Sequence, residues 1–205
     1  MKTNIAATKT NLFKEKKSLA MTREGYDLLD EKRKILMNEL ASLANVVDML
    51  EKKLYQVLAQ GYKLADKAEV VMGRKRMEEL SFSVNLRSEL SISARRVMGV
   101  SVPAITLNMR EFPPYYSLYG VSVYVDEVVV KFKEILNMLA ELSGKKIALL
   151  RLAKEAQKTI RKVNALEKIY IPQYRDTVKY ITDRLDEEAR DAFTMSKLVK
   201  ERLKN

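Results

Sequence analysis

Apolar residues recur every three or four positions over the first third of the chain. Tyr26, Leu29, Leu36, Leu40, Leu43, Val47, Leu50, Leu54 and Val57 step along one stripe, and Leu12 and Leu19 extend it backward at seven-residue spacing. Arg33 is the one clear exception inside the run. A period of 3.5 residues held over several heptads marks a coiled-coil seam. No proline interrupts the stretch from about Thr8 to the low seventies, so the pattern predicts a single helix of about 60 residues, roughly 90 Å long. A helix of that length draws its stability from packing and needs a partner along its whole length.

The last segment, from about Val125 onward, repeats the pattern. Leu149, Leu152, Ala156, Val163, Leu166 and Tyr170 form one stripe, and Val178, Ile181, Leu185, Ala192, Met195 and Val199 resume it. Between Leu166 and Val178 the steps are four, four and four, a stutter that locally unwinds a left-handed supercoil. Pro172 lies inside the stutter, where a helix interior loses about 3 kcal/mol or more. Two readings meet this observation: a continuous helix that bends where its phase changes, or a fresh helix with Pro172 at its first position. The coincidence of proline and phase change favours the first.

The middle of the chain has a different rhythm. Three of the four prolines, Pro103, Pro113 and Pro114, fall there. SELSISARR (88–96) and VSVPAITL (100–107) alternate polar with apolar residues around Met98-Gly99, which predicts a β-hairpin over about 88–107, with Pro103 at an edge or bulge. EFPPYYSLYG (111–120) reads as a Pro- and Tyr-rich loop. The chain therefore divides into an N-terminal helix over 1–73, a small head over 74–124 and a C-terminal helix over 125–205. The fold class expected is mainly α: a long antiparallel two-helix coiled coil with a small central insertion containing a β-hairpin.

Composition sharpens this picture. The chain has 205 residues, with 38 Lys and Arg against 27 Asp and Glu, a net charge of +11, and 47% hydrophobic residues, too many for a disordered chain. It has no Cys and no His, which removes disulfides, thiolate chemistry and the commonest general base and zinc ligand. No apolar run of membrane-spanning length occurs, and the basic N-terminus has no apolar core of the secretory kind. The positive balance suits an acidic protein surface, a nucleic acid or a membrane face without choosing among them.

Candidate chemistry is sparse. The sole Gly-Lys pair, Gly144-Lys145, has Leu139 where a phosphate loop needs glycine and Lys146 where it needs a hydroxyl. Glu78-Glu79 and Asp186-Glu187-Glu188 sit in helical charge patterns and read as solvated faces. Arg74-Lys75-Arg76 and Arg95-Arg96 lack interleaved stacking aromatics and match no nucleic-acid reader module. Tyr115, Tyr116, Tyr119 and Tyr124 fit a partner hot spot or packing within the head equally well. The expectation is a non-catalytic chain with no cofactor.

The C-terminal stretch RKVNALEKIYIPQYRDTVKYITDRLDEEARD (161–191) resembles the C-terminal helix of the D subunit of the V-type and archaeal or bacterial A-type ATPases. The family's pattern falls on Arg161, Val163, Asn164, Leu166 and Glu167, on Ile171-Pro172, on Tyr180-Ile181 and on Leu185 to Glu188. Lys162 replaces an arginine. At the N-terminus Thr8-Lys9, Leu12, Gly25-Tyr26, Leu28-Leu29 and Lys32-Arg33 stand at the family's spacing. The resemblance implies a central rotor shaft, placed in the cytoplasm and peripheral to a membrane. Its terminal helices would enter a threefold ring of catalytic A and B subunits. Its head would meet the F subunit and the membrane-side coupling subunit, with Leu90, Ile92, Arg95, Arg96, Val100, Val102, Tyr115 and Tyr116 as the candidate contacts. Asn164 could fix helix register if buried, or simply face water. A helical-hairpin stalk or chaperone of a protein export apparatus is the competing class, and a basic coiled-coil nucleic-acid binder a third. The export stalk does not require an insertion at 88–107, and the nucleic-acid binder predicts binding that collapses steeply with salt.

Overall fold

The structure, a computed structural model, describes residues 5–83, 88–109, 116 and 119–203. Its elements are α1 (Lys9–Met72), α2 (Arg74–Ser83), β1 (Ser88–Val97), β2 (Val100–Met109), α3 (Val123–Ala165), a π-helical turn (Leu166–Tyr170) and α4 (Ile171–Arg202). The 64-residue α1 matches the uninterrupted seam that the sequence predicts. Two compact units divide the chain: residues 36–155 form one, and residues 1–35 with 156–205 the other.

In the 36–155 unit, α1 and α3 run antiparallel. Glu51 pairs with Lys146 at 2.9 Å, while further along α1 the Tyr62 ring meets the Phe132 ring edge-on at 5.9 Å. Val47, Leu54 and Val57 of α1 close on Ile135 and Leu142 of α3, with Leu50, Leu58, Phe132 and Met138 packed around them. Burying each such side chain contributes about 1.5–3 kcal/mol. Beyond Val57 the seam continues through Gly61 and Ala68, both buried. Small residues here let the helices approach: a Cβ on Gly61 would lie 2.9 Å from Ile135 Cδ1.

Gly73 ends α1. Its φ of +80° lies in the left-handed region that other residues avoid, and the chain turns there into α2. The start of α3 returns to this point, where the Ser122 amide donates to Met72 Sδ at 3.4 Å. β1 and β2 form a two-stranded antiparallel hairpin, in register from Ser88 opposite Met109 to Val97 opposite Val100. Its two-residue turn holds Met98 at φ +50° and Gly99 at φ +81°, a type I′ geometry. Pro103 sits opposite Ala94 without breaking the ladder. Ile105 rests on Gly144 of α3, and Arg151 Nη1 donates to the Ser101 carbonyl at 2.9 Å.

In the other unit, residues up to Ile35 accompany the end of α3, the π turn and α4. Ala156, Thr159, Val163, Thr177 and Ile181 are buried there, Val163 and Ile181 completely. The backbone remains right-handed helical through Ala165, Tyr170 and Ile171. Two details of the expected stripe are corrected. Tyr170 is exposed and Ile171 takes its place, so the seam steps five residues from Leu166 to Ile171, then three to Tyr174. The eight-residue repeat contains one residue more than a heptad, and the wide π turn absorbs it. Further on, Ala192, Met195 and Val199 do not join the core: every residue from Asp186 to Leu203 is exposed. Among the described residues, the segment from 156 to 203 is longer than the N-terminal segment of its unit by several turns, and the end of α4 is exposed.

Candidate functional site

Local chemistry explains several positions singled out from the sequence. Thr8 caps α1: its Oγ1 accepts the Asn11 amide at 3.2 Å and its carbonyl accepts the Leu12 amide at 2.9 Å. A threonine cap contributes about 1 kcal/mol. Lys9 is exposed at the first helical position, and Leu12 and Gly25 are half-buried. A Cβ on Gly25 would meet nothing within 4 Å, so no contact inside the chain requires a glycine there. Arg33, the exception in the seam, leans on Asp30: its Nη2 lies 2.5 Å from Oδ1, a charge contact out of line for a hydrogen bond. Lys34 bonds the other oxygen at 3.0 Å. The Lys34 ammonium holds the Asp30 carboxyl below the usual carboxylate range, against an opposing effect of burial, and Arg33 adds to it.

On the C-terminal side the positions separate into two sets. Val163 and Ile181 are fully buried, and Leu166 and Leu185 half-buried. Arg161, Asn164, Glu167, Pro172 and Tyr180 face solvent. Asn164 therefore does not act as a buried register key. The π turn accommodates Pro172. The Ile171 amide bonds the Leu166 carbonyl five residues back, so the turn is already widened where the proline ring would otherwise meet the carbonyl four residues behind it. The missing N–H is tolerated at the start of α4.

In the head, every residue of β1 before Val97 is exposed, including Leu90 (56%), Ile92 (65%), Arg95 and Arg96, while Val100 and Val102 on β2 are half-buried. β2 thus faces the helices and β1 faces outward. Leu90 stands opposite Leu107, Ile92 opposite Ile105 and Arg95 opposite Val102. The Tyr116 hydroxyl donates to Asp126 Oδ1 at 2.5 Å, which ties this tyrosine to the first turn of α3. Burial first, then this bond, pushes the Tyr116 phenol up to about 12. Tyr115, Pro113 and Pro114 lie outside the described residues.

These positions do not converge on a pocket. They lie along helix faces and on one hairpin, and no cluster of three or more metal-ligating side chains occurs among the described residues. Such an arrangement presents surfaces along the helices and the hairpin. Sequence reading passed over Thr159 and Thr177, which keep the seam's spacing but are polar, and over Gly61 and Gly144, whose role is to leave room. The end of α4 exposes Phe193 (74%), Met195, Leu198, Val199 and Leu203 (83%), where the three-four rhythm outlasts its partner.

Comparison with known proteins bears on which surfaces these are. The sequence model of the family described as the D subunit of ATP synthase matches residues 11–201. The V-type ATP synthase D subunit of Thermotoga neapolitana is 32% identical over 200 residues, covering 98% of each chain. The A-type ATP synthase D subunits of Thermococcus kodakarensis and of a Desulfurococcus species are each 34% identical over 200 residues, covering 96% of this chain and 94% of theirs.

Proposed function

The chain belongs to the D-subunit family of ATP synthases, and on that premise we propose that it is the central rotor shaft of a V/A-type rotary ATPase, a non-catalytic subunit that couples nucleotide chemistry to rotation and ion transport. The observation that carries the reading is the end of α4. Its seam rhythm continues from Leu185 through Ala192, Met195 and Val199, and these residues are exposed among the described residues. An apolar helix face left bare in this way is an interaction surface. The catalytic A and B subunits are the partners that fit it.

The physics of coupling follows from symmetry. A pair of antiparallel helices has no threefold axis, so three equivalent catalytic subunits around it touch three different faces. Each contact set biases its site toward a different conformation, which is a coupling free energy between shaft angle and nucleotide affinity. Coupling of this kind is reciprocal: hydrolysis turns the shaft, and a driven shaft alters the sites. The head, with Leu90, Ile92, Arg95 and Arg96 outward on β1, is assigned to the F subunit and the membrane-side coupling subunit. The complex is membrane-associated, whereas no helix of this chain, among the described residues, is long and apolar enough to cross a membrane. The export-stalk alternative is not favoured, because the family match runs through nearly the whole chain.

Co-purification of this chain with A, B and F subunits, followed by an ATPase assay with and without it, tests the reading. Stable assembly, and hydrolysis that depends on the end of α4, are expected. An A–B ring that never retains the chain would overturn the assignment.

A further inference from the structure

The end of α4 is patterned to pair with a reversed copy of itself. Leu185, Ala189, Ala192, Ser196, Val199 and Leu203 follow one another at steps of four, three, four, three and four, the strict spacing of a coiled-coil seam. Leu185 is half-buried, and every residue from Asp186 to Leu203 is exposed. Ser196 is the polar member of the stripe. Its hydroxyl already donates to the Ala192 carbonyl at 2.8 Å, so it can face a second helix without an unmet hydrogen bond. Two such helices, laid antiparallel about a twofold axis at residue 194, match layer by layer. Leu185 meets Leu203 of the second copy, Ala189 meets Val199 and Ala192 meets Ser196. The central layer is small on both sides, and there Phe193 and Met195 flank the stripe, each beside its own mate across the axis.

The charges obey the same axis. On one flank Asp186 faces Lys200 of the second copy, and on the other Glu188 faces Arg202, each pair occurring twice by symmetry. Arg184 is already taken by Glu187 at 3.0 Å, whereas Asp186, Glu188, Lys200 and Arg202 make no ion pair among the described residues. Flanking charges set partner and orientation in coiled coils. In a parallel pair the facing flank residues would be Glu188 with Phe193 and Met195 with Lys200, and no opposite charges would meet. We propose that residues 185–203 are a homodimer interface, through which two copies of this chain pair as a short antiparallel coiled coil. The contact is isologous. It spans about 28 Å, and half of its core positions are small, so the dimer is weak and forms at micromolar concentration. Pairing covers the apolar tail before the chain enters a complex. That the catalytic ring then takes the place of the second copy rests on the rotor reading above.

Sedimentation of the full chain tests the pairing. Self-association between about 1 and 100 μM is expected, and a monomer at every concentration overturns it. Glu188→Lys and Arg202→Glu lie at exposed sites. Each brings like charges together twice in a homodimer and should weaken it about tenfold or more. An equimolar mixture of the two variants restores opposite charges at both contacts and should associate as tightly as the parent, as should the double variant alone. Swaps without effect, or a mixture no tighter than its components, overturn the interface. Orientation is read from cross-linking, since the chain contains no cysteine. Met195→Cys stands beside its own mate and should form an intermolecular disulfide on oxidation. Leu203→Cys lies about 27 Å from its mate and should not; equal cross-linking overturns the antiparallel arrangement. Adding A and B subunits should dissolve the dimer and leave one chain per ring. Two chains per ring overturn the exchange of partners and leave the dimer standing, whereas a ring that retains no chain sinks the rotor reading instead.

Discussion

Gly61→Ala tests how closely α1 and α3 approach in the 36–155 unit. Two effects compete. Alanine stabilises a helix interior by about 1 kcal/mol over glycine. Its methyl group, however, would stand 2.9 Å from Ile135 Cδ1, well inside contact distance. Ile135 is only 2% exposed and belongs to the Val47–Leu54–Val57–Leu142 core, so its terminal carbon has little space to yield. Overpacking of this kind costs about 1–3 kcal/mol, and the net expectation is a destabilisation of about 1 kcal/mol. Ile135→Val removes the offending Cδ1 and alone costs about 1 kcal/mol. In that background the next contact is with Phe132, at an ordinary 3.6 Å. Gly61→Ala then stabilises by about 1 kcal/mol, so the two changes couple by about 2 kcal/mol. Urea unfolding of the four proteins, followed by far-ultraviolet circular dichroism, measures the cycle. Effects that add within about 0.5 kcal/mol would refute the close approach.

The other expectations can be checked separately. Met98→Asn suits the left-handed backbone at φ +50° and should stabilise the hairpin by about 1 kcal/mol, read as slower exchange of the β1 and β2 amides. Deleting Lys168 removes the extra residue of the π turn; with Pro172→Ala it should leave stability within about 1 kcal/mol of the parent, whereas with Pro172 retained the restored α-turn should cost about 3 kcal/mol. Ile181→Ala should cost about 2–5 kcal/mol, while Val199→Ala should stay within about 0.5 kcal/mol, because only the first is covered within the chain. Tyr116 has a folded pKa of about 12, above its usual value near 10. Its contribution to stability is complete below pH 10 or so and is lost as pH rises toward 12. Asp126→Asn should bring the tyrosinate absorbance transition only part of the way down, since burial is the larger cause.

Periodicity made much of the fold legible. The α1 seam from Leu36 to Val57 and the alternation on either side of Met98-Gly99 are signals carried by the residues that make the contacts. Where contacts depend on what is missing, the signal disappears. Gly61 and Gly144 contribute space, and Thr159 and Thr177 keep the seam's spacing without its hydrophobicity. Around Pro172 the sequence showed a phase change, but four-residue steps through Tyr170 disguised a single inserted residue that the backbone places before Ile171. The tail from Asp186 onward misled for another reason. Its rhythm is that of a seam, and a sequence cannot say whether the covering helix belongs to the same chain. The docked hairpin was illegible because the fit of Ile105 to Gly144 joins residues with no shared pattern.

The central claim is that this chain turns within a catalytic ring. Single-molecule observation tests it most directly: the A–B ring fixed to a surface, a bead attached through a cysteine introduced at exposed Ser91 on β1, and ATP supplied. The account predicts continuous rotation in one direction with three pauses per turn, and loss of torque when the α4 tail is cut after Leu185. Steady hydrolysis by a ring that holds the chain motionless would contradict it.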